Sequence, residues 1–208
     1  VVVGAGGFGR EVHGYAVELG WEVLGFVDDE PSALAGHPGL PPVLGRVDEL
    51  DPSDGAEVVV AVGDASARAD LAGKLAARGI GLATLVHPTA WVAPTARVGA
   101  GSILCPFAVV ANAAVVGPNV VLNTFASVGH DAVVGAHCVF SPYSVVNGGV
   151  VLGEEVFLGT HAVVTPRLDV GARTKVAAGA VVTRSLDPGS LAVGMPATGR
   201  VVLPPGAD

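Results

Sequence analysis

The sequence predicts a small N-terminal α/β domain followed by a parallel β-helix of six-residue repeats. Three observations predict it. Residues 85–186 divide into seventeen consecutive hexads whose second residue is always apolar and bulky, from Val86, Val92 and Val98 through Phe140 to Val176 and Val182. The sixth residue is usually small, as at Ala90, Ala108, Ala126, Cys138 and Ala180. Ahead of the hexads, strand-like and helix-like segments alternate, the pattern of a parallel sheet with crossover helices.

In order along the chain, residues 1–3 read as a short strand running into Gly4-Ala5-Gly6-Gly7-Phe8-Gly9. A helix is expected over about residues 9–19, with Val12, Ala16 and Leu19 near one face. Residues 21–27 read as a second strand ending in Asp28-Asp29, and residues 31–42 as loop. Residues 57–62 read as a third strand ending at Gly63-Asp64, followed by a helix over residues 65–78 with Leu71 and Leu75 four apart. Gly4, Gly6 and Gly9 match G-x-G-x-x-G between a strand and a helix, and Asp28 lies nineteen residues beyond the last glycine. Backbone N–H groups at such a helix start hold phosphate oxygens, and the acidic side chain accepts from a ribose or base. With roughly three strands, residues 1–84 make one Rossmann-like half, too little for a full NAD site. A tight strand–helix turn with no ligand is the plain structural alternative.

The hexads cannot be helical, because a strict period of six misses the 3.6-residue turn. Six residues suit one short strand and one bend, with β-branched Val filling the strand and Gly, Pro, Asn and Asp the bend. Three such sides close a triangle of eighteen residues, so seventeen hexads make a little under six coils. Stacked at about 4.8 Å, they form a prism on the order of 27 Å long. The second position points inward, and the small sixth residue eases packing in a narrow interior.

Composition narrows the partners. Half of the 208 residues are hydrophobic and only 5% aromatic, as a thin core of Val, Leu and Ala requires. Eleven Lys and Arg against nineteen Asp and Glu leave a net charge of −8 and no basic stripe, which argues against nucleic acid or an anionic membrane surface. No apolar run of membrane-spanning length and no leader pattern is visible. Because the chain opens at Val1 inside a strand, a few preceding residues are expected. Cys105 and Cys138 make no disulfide framework; both read as buried free thiols, consistent with a cytoplasmic location.

The repeats resemble the hexapeptide-repeat family, whose pattern is aliphatic–Gly–x–x–small–x. That resemblance implies a left-handed parallel β-helix and a homotrimer with active sites between subunits. The pairing of coils with the glycine-turn domain resembles the sugar acyltransferases that modify nucleotide-linked amino sugars, and the similar sialic acid O-acetyltransferases of polysaccharide biosynthesis. By this resemblance, residues 1–84 bind the nucleotide sugar through Gly6, Gly7, Phe8, Asp28, Asp29 and Gly63. Residues 85–208 form the acyltransferase domain with a C-terminal capping tail. The family often has His where this chain has Phe8.

Asn123-Thr124-Phe125-Ala126-Ser127-Val128-Gly129-His130-Asp131 matches the family's catalytic stretch. The resemblance implies that His130 is the general base and that Asp131 supports it. The chemistry agrees. A sugar amine is mostly protonated at neutral pH and must lose a proton before it attacks a thioester. An imidazole, with a reference pKa of about 6.5, can take that proton. Eighteen residues on, Gly148 is its neighbour along the prism, and its N–H could face the thioester oxygen; the resemblance gives a glycine there the same role. The co-substrate implied is acetyl-CoA, with no metal. Val139, Thr160 and Ala178 are the positions the resemblance places at it: Thr160 and Ala178 align with backbone contacts, and Val139 occupies the place of a second family histidine nine residues after the base. The segment Val193-Gly194-Met195-Pro196-Ala197 resembles the family's G-x-P-A tail, with Thr198 where a basic residue usually follows and Arg200 two residues on.

Four other readings remain open at this level. A sugar hydroxyl, as in sialic acid O-acetylation, would use the same base. A zinc hydratase needs three His at one metal, yet His130, His137 and His161 fall on three different sides by hexad counting, leaving only an intersubunit site. An oxidoreductase would use the glycine turn. The last is a non-catalytic scaffold.

Overall fold

The structure is a computed structural model that describes residues 1–50 and 56–203; the end of the expected capping tail, residues 204–208, lies outside the described residues. The N-terminal sheet holds β1 (Val2–Val3), β2 (Phe26–Val27), β3 (Val43–Gly45) and β4 (Val59–Val60), all parallel in the order β3-β2-β1-β4. Helices α1 (Gly7–Glu18) and α2 (Ala65–Ala77) accompany it.

Several bounds differ from expectation. Helix α1 starts two residues early, because the glycine turn is itself its first turn: Gly6 is the N-cap and Gly6 O accepts from Arg10 N–H (3.1 Å). The second strand shrinks to its last two residues, while Trp21 and Val23 pack against the core without ladder pairing. The third expected strand shrinks likewise to β4. The sheet gains β3, which local sequence did not mark, by pairing beside β2. Asp64 caps α2, its carboxylate accepting from Ala67 N–H (3.0 Å).

Each of the seventeen hexads contributes one two-residue strand, and every strand pairs in parallel with the one eighteen residues away, as Val115 with Val133 and Ser127 with Val145. The prism has three sides. The first carries Leu85–Val86, Ile103–Leu104, Val121–Leu122, Val139–Phe140, Phe157–Leu158 and Lys175–Val176. The second runs from Trp91–Val92 through Ser127–Val128 to Val181–Val182, and the third from Arg97–Val98 through Val133–Val134 to Asp169–Val170. The second-position residues and small sixth-position residues fill the interior, including Leu104, Val128, Ala132, Cys138 and Phe140. At the edge between first and second sides, Phe107, Phe125, Tyr143 and His161 stack ring on ring at 4.8–4.9 Å, one per winding.

The tail extends the first side. Ser190–Gly194 adds in parallel beside Lys175–Val176 and turns back into antiparallel Ala197–Val201, laying Ala192 and Ala197 on the end of the core. Its outer surface leaves Val193 and Met195 exposed.

The N-terminal domain sits on the first side. Leu85, Ile103, Val121 and Val139 present their outward first-position side chains to Val2, Ala5, Val12 and Phe26 in one buried cluster. The outward face of the first side is thereby buried, whereas Val115, Val133 and Val151 in the same position on the third side are exposed. Buried His87 reinforces the junction. Its Nε2–H donates to Glu18 Oε2 on α1 (2.8 Å), and its Nδ1 accepts from Thr89. No helix of the described residues is long and apolar enough to cross a membrane.

Candidate active site

His130 and Asp131 occupy the bend between the second and third sides, just after Ser127–Val128. The bend repeats every eighteen residues, so the residues stacked around them are set by the winding. Gly148 lies one winding after His130, and Gly149 and Arg167 one and two windings after Asp131. Gly149 N–H donates to His130 O (2.9 Å) and Arg167 N–H to Gly148 O (3.0 Å).

The imidazole stands 2.7 Å from the Asp131 carboxylate, through Nδ1 and Oδ2. A carboxylate only accepts, so Nδ1 carries the hydrogen and Nε2 is the free basic nitrogen. Both side chains are open to solvent, 71% and 65% exposed. They border a cleft of about 590 Å³ with Asn147, Gly148, Pro166 and Arg167. Asn147 Nδ2–H is held by Val164 O (2.9 Å). The Gly148 N–H has no acceptor among the described residues. The arrangement offers a proton acceptor and a backbone donor side by side. Asn147 and Arg167 were not singled out from sequence; the signal was there, since the eighteen-residue winding that found Gly148 also finds Arg167.

At the other candidate site, the Asp28 carboxylate accepts from Ala5 N–H (2.7 Å) inside the glycine turn and from Glu30 N–H (2.9 Å). Asp28 therefore holds the turn in shape, leaving only its remaining lone pairs for a ligand. Asp29 is paired with Arg46 (3.5 Å). Gly6 and Gly63 face open space, whereas Phe8 is half-buried against the cluster that joins the domains. Gly7 opens α1 beside the Arg10 side chain.

The expected coenzyme positions separate. Thr160 and Ala178 stack at the edge between first and second sides, where Gly179 N–H donates to Thr160 O (2.8 Å). Val139 is not on free surface with them: it is 4% exposed beneath the N-terminal domain. Its outward first-position side chain is on the side that domain covers, which hexad phase alone does not reveal. Burial pushes the thiols of Cys105 and Cys138 up to about 12, so neither is a thiolate nucleophile at neutral pH. His130, His137 and His161 stand at three different edges of the prism. Among the described residues no cluster of three or more His, Cys, Asp or Glu could hold a metal.

Residues 1–75 match the PglD N-terminal domain, and residues 113–148 match the bacterial transferase hexapeptide, a unit of six repeats. No curated protein matches the chain. Among solved structures, the chain is similar to perosamine N-acetyltransferase PerB from Caulobacter crescentus, in complex with CoA and GDP-perosamine. The two are 34% identical over 96% of this chain and 95% of that one, with a TM-score of 0.88. It is equally similar to the acetyltransferase domain of PglB from Neisseria gonorrhoeae FA1090 in complex with acetyl coenzyme A, at 34% identity and TM-score 0.88 over 96% and 97% of the two chains. WeeI from Acinetobacter baumannii AYE follows at 29% identity and TM-score 0.86, over 96% and 98%. With such identity sustained over nearly the whole of both chains, this protein belongs to the hexapeptide-repeat family of sugar acyltransferases.

Proposed function

We propose that the protein transfers the acetyl group of acetyl-CoA to the amino group of a nucleotide-linked amino sugar. The observation that carries the proposal is the His130–Asp131 pair, held at 2.7 Å with Nε2 free beside the Gly148 backbone in an open cleft. The sugar ammonium first releases one proton to solvent, and His130 Nε2 takes the second from the nitrogen as the amine attacks. The amine nitrogen bonds to the thioester carbon directly, without a covalent enzyme intermediate. Asp131 stabilises the imidazolium through Nδ1–H, and Gly148 N–H donates to the oxygen as it gains charge. The carbon–sulfur bond then breaks, and the imidazolium returns a proton to the departing thiolate.

Residues 1–84 are the nucleotide-sugar domain in this reading, with Gly6, Gly7, Phe8, Asp28, Asp29 and Gly63 at the ligand. Residues 85–208 are the acyltransferase domain, with Thr160 and Ala178 offering backbone contacts to acetyl-CoA. The full-length likeness to an enzyme solved with CoA and GDP-perosamine supports this division of labour.

The reading includes a homotrimer, a cytoplasmic location and a role in polysaccharide biosynthesis. One feature of the chain favours shared sites. The N-terminal domain covers the first side, and His130 stands at the opposite edge, between the second and third sides. A sugar held at the glycine turn of one copy thus meets the imidazole of a neighbouring copy. The test is a screen of UDP-, GDP- and dTDP-linked 4-amino sugars and free sialic acid with acetyl-CoA, following thiol release. Turnover confined to amino sugars and lost in His130→Ala supports N-acetylation. Turnover of sialic acid alone moves the assignment to O-acetylation, and equal rates for both protein forms remove His130 from the mechanism.

A further inference from the structure

Arg68 is the largest fully buried side chain among the described residues, at 0% exposure, and none of its hydrogen-bond partners there is a carboxylate. It projects from α2 into the seam between the N-terminal domain and the prism. All five of its N–H donors are used. Two reach the carbonyl oxygens of Val60 and Val62 (the latter at 3.1 Å). Three reach Asn119 at a prism edge: Nε and Nη2 to its carbonyl oxygen, at 3.3 and 3.2 Å, and Nη2 also to Oδ1. Asn119 answers by donating from Nδ2 to Arg68 O (3.1 Å). Burial lowers the guanidinium to about 9, which still leaves it charged at neutral pH.

The acceptors explain the residue. Strand β4 is the edge of its sheet, so the carbonyls facing away from β1 need partners from elsewhere. Val58 O is served by Ala83 N–H (2.8 Å). The next two on that edge, Val60 and Val62, have no neighbouring strand, and the Arg68 fork takes its place. They bracket Ala61, whose N–H donates to Val3 O just before the glycine turn (2.7 Å), and they lead directly into Gly63. A buried charge without a carboxylate is a costly way to fill a seam, since apolar residues of similar volume often do so more stably. A planar five-donor fork is, however, suited to clamping three backbone carbonyls and an amide in one geometry.

We infer that Arg68 is a positioning residue for the nucleotide end of the active site, fixing residues 60–63 of the N-terminal domain against Asn119 of the prism. The inference rests on the reading above that Gly63 meets the nucleotide sugar. Through Asn119 the fork also ties the ligand pocket to the rigid coils that carry the transfer chemistry. The spacing between the held nucleotide and the acceptor edge is thereby set by one side chain.

The experiment compares the full chain with Arg68→Lys, which keeps the charge but reduces the fork to a point donor, and with Asn119→Gly, which keeps the backbone acceptor and loses the side-chain clasp. Two readouts are taken. Amide hydrogen exchange needs no substrate: faster exchange at Ala61 and Gly63 in Arg68→Lys, with the coil amides unchanged, is expected. Exchange at those amides equal to the unmodified chain overturns the inference. Steady-state kinetics with the nucleotide-linked amino sugar that the unmodified chain turns over should show its KM raised about tenfold or more, with the KM for acetyl-CoA unchanged and a smaller rise for Asn119→Gly. Equal rises in both KM values, or a loss of active protein with neither KM changed, mark a purely structural residue and also overturn it. If the unmodified chain turns over no nucleotide-linked amino sugar, the functional reading fails, while the exchange measurement still decides whether Arg68 holds the strand end. Should Arg68→Lys not fold, Asn119→Gly carries the same two readouts.

Discussion

A methyl group on Gly148 would lie 2.5 Å from Nε2 of His130 and 2.6 Å from Cε1. The bare backbone of one winding thus forms the wall against which the imidazole of the previous winding rests. Gly148→Ala should leave the coil intact, because the obstructing atoms are the end of a movable side chain and not backbone. The imidazole must swing away from the new methyl group and away from Asp131. We expect turnover to fall by about a hundredfold or more, with a thermal midpoint within a few degrees of the parent. Calorimetry and thiol-release assays on the same preparation check both halves. Full activity in Gly148→Ala would separate this glycine from the chemistry.

Replacing His130 by Ala removes the proton acceptor and should lower kcat by about 10²–10⁴. Asp131→Asn retains an acceptor for Nδ1–H but not the charge that stabilises imidazolium. Because the Asp131 side chain is 65% exposed, water screens that charge, and a loss of about tenfold to a hundredfold is expected, smaller than for His130→Ala. A double variant no worse than His130→Ala alone shows that Asp131 acts through the imidazole.

His137 predicts a pH dependence of stability rather than of rate. Its Nδ1 accepts from Asn119 Nδ2 (2.9 Å), so it is held neutral with hydrogen on Nε2. Burial lowers its pKa below the ordinary 6.5, Glu155 and Glu154 act in the opposite sense, and Arg68 adds to the lowering. The unfolded chain therefore binds the proton at a higher pH than the folded one. Stability is lost as the pH falls below about 6.5, and the loss levels off once the folded value is passed. His137→Gln, which can still accept from Asn119, should flatten the fall in thermal midpoint between about pH 7 and pH 5. An unchanged slope would assign the acid sensitivity to other groups.

The prism was legible residue by residue because its constraint is local and repeated. Every hexad must send one side chain inward, and a slip at Val128 or Leu152 would turn a whole strand inside out. The bend that carries the candidate site was legible for the same reason, as Gly148 follows from His130 by one winding. The N-terminal domain was legible only in outline. Strand β3 forms because β2 lies beside it, and nothing in residues 43–45 marks them alone. Val139 was expected at the coenzyme and instead packs where the two domains meet, since hexad phase says which way a side chain points but not what covers it. Arg68 is the plainest omission. A charged residue on a helix reads as a solvated one, and only the tertiary seam shows it fully buried.

The glycine turn yields the last prediction. A Cβ on Gly9 would lie 1.9 Å from the Gly4 carbonyl oxygen and 2.8 Å from its carbon. Both atoms belong to backbone, so no side chain can move aside, in contrast to Gly148. The turn itself must open, which pulls Ala5 N–H from the Asp28 carboxylate and displaces the start of α1. Gly9→Ala should cost about 3 kcal/mol or more in the N-terminal domain. The prism has its own core of stacked interior residues and should persist through the substitution. In a Trp91→Phe background, denaturation followed by Trp21 on the N-terminal domain and by far-ultraviolet circular dichroism of the coils would then give two separated transitions, the first shifted to lower denaturant. A single unshifted transition in Gly9→Ala would mean that the turn tolerates a side chain, and the close strand–helix approach assigned to it would be wrong.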